Sequence, residues 1–125
     1  MRSDYSNNPV ACMSKDFAIK CIFLYQDLTE KGREYILSRQ MVRSGTSIGA
    51  NVREALRGQS RADFNAKLFI ALKEASETEY WLELLMETGY ITEEKGNELL
   101  DDCAQLICLL RSITKTTIEN SYDRQ

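Results

Sequence analysis

The sequence predicts an all-α protein, an antiparallel up-down-up-down four-helix bundle, from three observations. The single proline, Pro9, stands near the N-terminus, so more than a hundred residues follow without one to interrupt a helix. Clusters of Gly, Asn and Asp that would mark frequent turns are scarce. Four segments repeat apolar residues at alternating steps of three and four, the period of one helix face. At 125 residues the chain fits a single domain. It divides into an N-terminal tail (1–13), a bundle (14–118) and a C-terminal tail (119–125).

The first helix is expected from Ser14, as N-cap, to about Glu30, with Phe17, Cys21, Leu24 and Leu28 along its inner face. Gly32 marks its stop. The second runs from about Glu34 to Arg57, with Gly58 after it. Its inner stripe is Leu37, Met41, Ser44, Ile48, Val52 and Ala55. Gly45 and Gly49 interrupt it and would each cost about 1 kcal/mol relative to Ala without compensation. That spacing marks Gly45, Ser47 and Gly49 as a strip of close helix packing. The alternative is a break at Ser44-Gly45, which would make Gln40–Gly58 a helix-turn-helix. Ser44, Ile48, Val52 and Ala55 keep phase with Leu37 and Met41 across the glycine, which favours one continuous helix.

Ser60 caps the third helix, whose Phe64, Leu68, Ala71, Ala75, Thr78, Leu82 and Leu85 follow a heptad rhythm. A flanking stripe carries Lys67, Ile70, Glu74, Glu77, Trp81 and Leu84. Gly89 closes the helix, and Thr92 caps the fourth, with Glu93 and Glu94 complementing its N-terminal dipole. Leu99, Cys103, Leu106, Leu110, Ile113 and Thr117 continue the rhythm, and the helix frays after about Asn120. Four amphipathic helices on short connections bury their stripes most simply side by side.

Hydrophobic residues make up 43% and charged residues 28%, ordinary globular usage, and the formal net charge is -3. That balance argues against a generally basic nucleic-acid binder, yet the charges are segregated. Lys31, Arg33, Arg39, Arg43, Arg53, Arg57 and Arg61 face only Glu34 and Glu54 within their stretch. From Glu74 to Asp102 ten carboxylates meet Lys95 alone. At about 100° per residue, Arg39, Arg43, Arg53 and Arg57 lie within about 80° of one another, opposite the inner stripe of the second helix. They are the candidate nucleic-acid contacts.

Catalysis finds little support. The chain has no histidine, which removes the commonest general base and metal ligand, and with it the Glu-x-x-His pairs of di-iron bundles. Neither phosphate-binding glycine loop occurs. Ser44-Gly45-Thr46-Ser47 is rich in hydroxyls but has no base beside it. Cys12, Cys21, Cys103 and Cys108 have neither redox nor zinc spacing, and Cys21 and Cys103 fall at core positions, where a thiol serves as a small hydrophobe. No apolar run reaches the ~20 residues of a membrane span, and no secretory signal opens the chain. The expectation is a cytoplasmic protein that is not an enzyme, with no cofactor, no metal and no small-molecule substrate.

The run Arg43-Ser44-Gly45-Thr46-Ser47-Ile48-Gly49-Ala50-Asn51-Val52-Arg53-Glu54-Ala55 is distinctive. Together with Phe64, the block Lys67–Ala75, Glu77-Thr78 and Trp81-Leu82, it strongly resembles the bacterial four-helix-bundle family called 23S rRNA intervening-sequence proteins. The resemblance covers about residues 14–118. It implies a bundle often assembled as a homopentameric ring, with no established catalysis. The accessory variability protein of diversity-generating retroelements is similar, which implies a basic pentameric surface for reverse transcriptase and nucleic acid.

The function expected is therefore that of a homo-oligomeric helical scaffold or binding protein contacting RNA or an RNA-handling partner. The alternative is a monomeric or dimeric nucleic-acid binder using the basic face of the second helix. Ile70, Glu74, Glu77, Trp81 and Leu84 are the candidate oligomer interface, because the third helix holds more apolar surface than one bundle interior needs. Arg43 and Arg53 are placed to pair with Glu74 or Glu77, within or between subunits. The competing reading has Trp81 covering its own bundle.

Overall fold

The computed structural model describes residues 5–123, with side chains up to residue 116. Its helices are α1 (Pro9–Glu30), α2 (Leu37–Leu56), α3 (Arg61–Glu87) and α4 (Glu93–Asp123). Among the described residues there is no strand.

Helix α1 begins five residues ahead of the expected start at Ser14. Asn8 is the N-cap, its Oδ1 accepting from Ala11 N at 3.0 Å, and Pro9 occupies the first helical position. Proline suits that place because its missing N–H is one the helix cannot satisfy anyway. Ser14 lies inside the helix, buried, with Oγ donating to Ala11 O at 3.2 Å. An Asn-Pro pair is the stronger start signal, and residues 9–13, assigned to the tail by sequence, are helical.

The turn into α2 also differs from expectation. Gly32 does not carry the left-handed conformation; Arg33 does, at φ 53°. Gly32 serves close approach instead, since a Cβ there would stand 3.0 Å from Leu28 O. Helix α2 starts at Leu37 and not at Glu34, because Glu34 folds back as a cap. Its carboxylate accepts from Ile36 N, Leu37 N and Ser38 N at 3.1, 3.0 and 2.7 Å. Burial pushes the Glu34 carboxyl up, but the donors from Ser38, Leu37 and Ile36 together outweigh it and hold the group below its ordinary value.

Helix α2 runs unbroken through Gly45 and Gly49, so the break at Ser44-Gly45 and the helix-turn-helix are both excluded. Ser60 caps α3, accepting from Asp63 N at 3.1 Å. Gly89, at φ +84°, turns the chain out of α3, and Thr92 Oγ1 accepts from Lys95 N at 3.1 Å to open α4. Helix α4 continues to Asp123, past the fraying point set at Asn120; Arg124 and Gln125 lie outside the described residues.

Cross-helix pairs give the topology. Gly45 meets Cys21 and Gly49 meets Ser14, so α2 runs against α1. Arg43 reaches Glu74 while Glu54 reaches Lys67, so α3 runs against α2. Cys103 lies on Ala75 O and Gly96 on Met86, which sets α4 against α3. Each helix packs on its neighbours in sequence, and α4 closes the ring on α1 through the sparsest of the four interfaces.

The inner stripes read from sequence form the core. Phe17, Cys21, Leu24 and Leu28 are buried with Met41, Ile48, Val52, Leu68, Leu82, Leu85, Leu99, Leu106 and Leu110. Phe64, Leu37 and Ile113 pack at its edge. Ile107 and Thr114 are buried beyond the expected set. The Thr117 side chain lies outside the described residues.

Candidate functional site

The α2–α3 seam carries most of the polar residues singled out in the sequence. Helix α2 presents Arg43 across to α3, where its guanidinium reaches Glu74 Oε2 at 3.3 Å and also contacts Glu77 Oε2. Trp81 Nε1 donates to the same Glu77 oxygen at 3.1 Å. Glu74, Glu77 and Trp81 recur at i, i+3 and i+7 of one helix, which stacks them on one flank. Beneath this cluster Thr78 Oγ1 lies 2.7 Å from Ser44 Oγ, a buried hydroxyl pair tying the two helices. Both side chains also reach carbonyls one turn back, Thr78 to Glu74 O at 2.8 Å and Ser44 to Gln40 O at 3.0 Å. No polar atom of this pair is left without a partner, as its burial requires.

The four arginines of the α2 stripe divide between different surroundings within the chain. Arg43 leans towards α3 and its acids. Arg53 leans the other way, with its guanidinium 5.0 Å from the centroid of the Tyr5 ring, and Arg57 stands 5.9 Å from the same centroid. Arg57 Nε donates to the Tyr5 hydroxyl at 2.8 Å. Arg53 thus stacks on an aromatic from the N-terminal segment and, within the subunit, is not the partner of Glu74 or Glu77, which Arg43 takes. Arg39 is exposed. Tyr5 carries no periodic signal, so sequence reasoning missed it.

The proposed interface residues separate in the same way. Trp81 and Leu84 are half-buried, and Trp81 packs against the core of its own bundle. Ile70 is exposed, as are Phe69 next to it in the chain and Tyr80 further along α3, whose ring centroid lies 5.3 Å from that of Trp81. A second outward set, Ile19, Ile22 and Phe23, lies on α1, with Phe23 62% exposed. These are out of phase with the inner stripes: Phe69 follows Leu68, and Ile22 and Phe23 sit between Cys21 and Leu24. That mismatch was the available signal for them. Since α1 and α3 stand diagonally opposite in the ring of helices, the two apolar sets face away from each other.

Gly45 and Gly49 line the α1–α2 seam. A Cβ on Gly45 would stand 2.6 Å from Cys21 Sγ, and one on Gly49 3.3 Å from Ser14 Oγ. Ser47 is half-buried and accepts from Asn51 Nδ2 at 3.1 Å, a bond within its own helix. On the far side of α1, Lys20 Nζ bridges to Asp102 Oδ2 at 2.7 Å and Glu98 Oε2 at 3.3 Å of α4. The bond to Asp102 leads the effects that raise the Lys20 pKa, against the opposing effect of desolvation.

Among the described residues no group of three or more Cys, Asp or Glu side chains could hold a metal ion. Among the described residues no helix is long and apolar enough to cross a membrane. The Cys21 and Cys103 thiols are pushed up to about 12 by burial, which makes them poor nucleophiles near neutrality.

Residues 6–112 match the sequence profile of the 23S rRNA-intervening sequence protein. A crystal structure of a protein of unknown function from Bacteroides thetaiotaomicron, assigned to the S23 ribosomal protein family, is 53% identical. The match covers 86% of this chain and 96% of that one, with a TM-score of 0.85. Among curated proteins none matches.

Proposed function

The chain belongs to the 23S rRNA-intervening sequence protein family, and we propose that it acts there as a non-catalytic helical scaffold built from several copies of itself. The observation that carries this reading is the pair of outward apolar sets, Ile19, Ile22 and Phe23 on α1 and Phe69, Ile70 and Tyr80 on α3. Two different patches on opposite sides of one subunit suit a head-to-tail contact, which closes into a ring when the rotation per subunit divides the circle. Five subunits is the number the family resemblance implies. Glu74 and Glu77 hold Arg43 within the subunit, so the contact rests on apolar residues, with Ile70 and Leu84 as members and Trp81 supporting from behind.

Multi-angle light scattering at micromolar concentration tests the assembly. The expected mass is several-fold above the 14.4 kDa of one chain. Ile70→Glu should lower it towards that of one chain while helical circular dichroism persists. A wild-type mass near one chain would sink the proposal.

Contact with RNA or an RNA-handling partner in the cytoplasm is the second part of the reading, supported by the basic stretch of α2. Arg39, Arg43 and Arg57 are exposed and Arg53 is half-buried, and Arg43, Arg53 and Arg57 already hold partners within the subunit. Binding of labelled 23S rRNA fragments across a salt series tests it. If these arginines neutralise phosphates, affinity falls steeply with salt and Arg39→Ala reduces the slope by about one. Absence of binding at low salt would remove this part and leave the assembly reading standing.

A further inference from the structure

Where α1 and α3 begin and α2 ends, alongside the second half of α4, the core does not close among the described residues. A pocket of about 280 Å³ opens there, and all four helices line it. Val52 and Leu68 form its buried floor; Leu56, Phe64, Leu109 and Ile113 are half-buried around it. Asn8 and Pro9, at the start of α1, complete the wall. Among the described residues no charged one lines it. Asn8 brings the one polar side chain of that described lining, and its Oδ1 already accepts from Ala11 N at 3.0 Å.

Interiors are otherwise close-packed, and a void lowers stability in proportion to its volume. An engineered apolar cavity of about 150 Å³ is enough to bind benzene. The pocket is nearly twice that and lies at the lower edge of the range for small-ligand sites, about 300–1,000 Å³. From this geometry we propose that the end pocket is a binding site for a small, neutral, apolar molecule of about ten carbon atoms. A charged ligand would find no counter-charge among the lining residues and would have to shed its hydration unaided. An aromatic ring system and a short alkyl chain present the same chemistry to these walls. This site is separate from the outer faces used for assembly, and its occupancy does not depend on them.

The test is a titration of the full chain with naphthalene, indole and 1-octanol, followed by methyl resonances in two-dimensional NMR. The expected result is saturable shifts at Val52, Leu56, Leu109 and Ile113 with at least one probe, and unchanged methyls at Ile19, Ile22 and Ile70. Comparison of the three probes separates ring from chain. Ile113→Trp should fill the pocket and weaken binding at least tenfold without lowering the melting temperature. If that variant folds poorly, Leu56→Phe serves the same purpose, and the wild-type shift map is decisive alone. The proposal is overturned if no probe saturates these methyls, or if shifts fall on the outer faces of α1 and α3. It is also overturned if the lining methyls move with protein concentration alone, which would mark the pocket as a seat for a second copy.

Discussion

The Gly45 backbone of α2 lies so close to the Cys21 thiol of α1 that a Cβ on Gly45 would stand 2.6 Å from Cys21 Sγ and 3.1 Å from Cys21 Cβ. The glycine lowers helix propensity by about 1 kcal/mol relative to Ala. Overpacking a buried contact costs about 1–3 kcal/mol. Cys21 is 0% exposed and has little room to move, so the contact should win and Gly45→Ala should be destabilising. Cys21→Ala in the same chain should recover much of the loss, giving a coupling energy of roughly 1 kcal/mol in a double-mutant cycle. Gly49 faces Ser14 Oγ at the looser distance of 3.3 Å, and Gly49→Ala should be near neutral. Urea melts of the four variants check this; equal stability of Gly45→Ala and wild type would mean that the thiol rotates aside.

The Ser44–Thr78 pair tests the polar tie between α2 and α3. Its hydroxyls lie 2.7 Å apart, and both residues are 0% exposed. Thr78→Val keeps the shape but leaves Ser44 Oγ with one partner fewer, at a cost of about 1 kcal/mol or slightly more. Adding Ser44→Ala removes the stranded group, so the double variant should lose less than the sum of the singles. Strict additivity in denaturant melts would show that the two hydroxyls act independently.

Glu34 gives the fold an acid-sensitive cap. Its folded pKa is depressed below the ordinary 4.5, so its stabilisation is fully present above that value and lost as pH falls through the folded one. Glu34→Gln removes the charge and should cost about 1 kcal/mol at pH 7, within the range for helix caps. Below the folded pKa the wild type loses its advantage and the two chains converge. Urea midpoints at pH 7 and at progressively lower pH measure this; a deficit independent of pH would show that the charge contributes nothing.

Thiol titration separates the cysteines. Cys108 is exposed and Cys12 half-buried, whereas Cys21 and Cys103 are buried with pKa values of about 12. At pH 8 a disulfide reagent should modify Cys108 first, then Cys12, whose Sγ lies 3.5 Å from Tyr5 O. Cys21 and Cys103 should react only at the rate of unfolding, and all should react quickly in urea. Fast modification of either core thiol in the native protein would mean that the bundle opens far more readily than its packing implies.

What one helix can express alone was legible in the sequence: the phase of its apolar stripe, the Gly89 stop of α3, and the Ser60 and Thr92 caps. Periodicity is a property of a single element, so the buried faces of α1 to α4 followed from the residues without knowledge of neighbours. The Asn8-Pro9 start and the Glu34 cap were legible in principle, but each needed a choice between competing local signals that backbone geometry alone resolves. Partners were a different matter. Arg39, Arg43, Arg53 and Arg57 share one stripe in sequence, yet α2 has α1 on one flank and α3 on the other. A rotation of some tens of degrees about the helix axis sends Arg43 to Glu74 and Glu77 and turns Arg53 to Tyr5. The end pocket arises likewise only once the starts of α1 and α3 and the end of α2 are brought against α4, because a void is a property of the assembly and of no single helix.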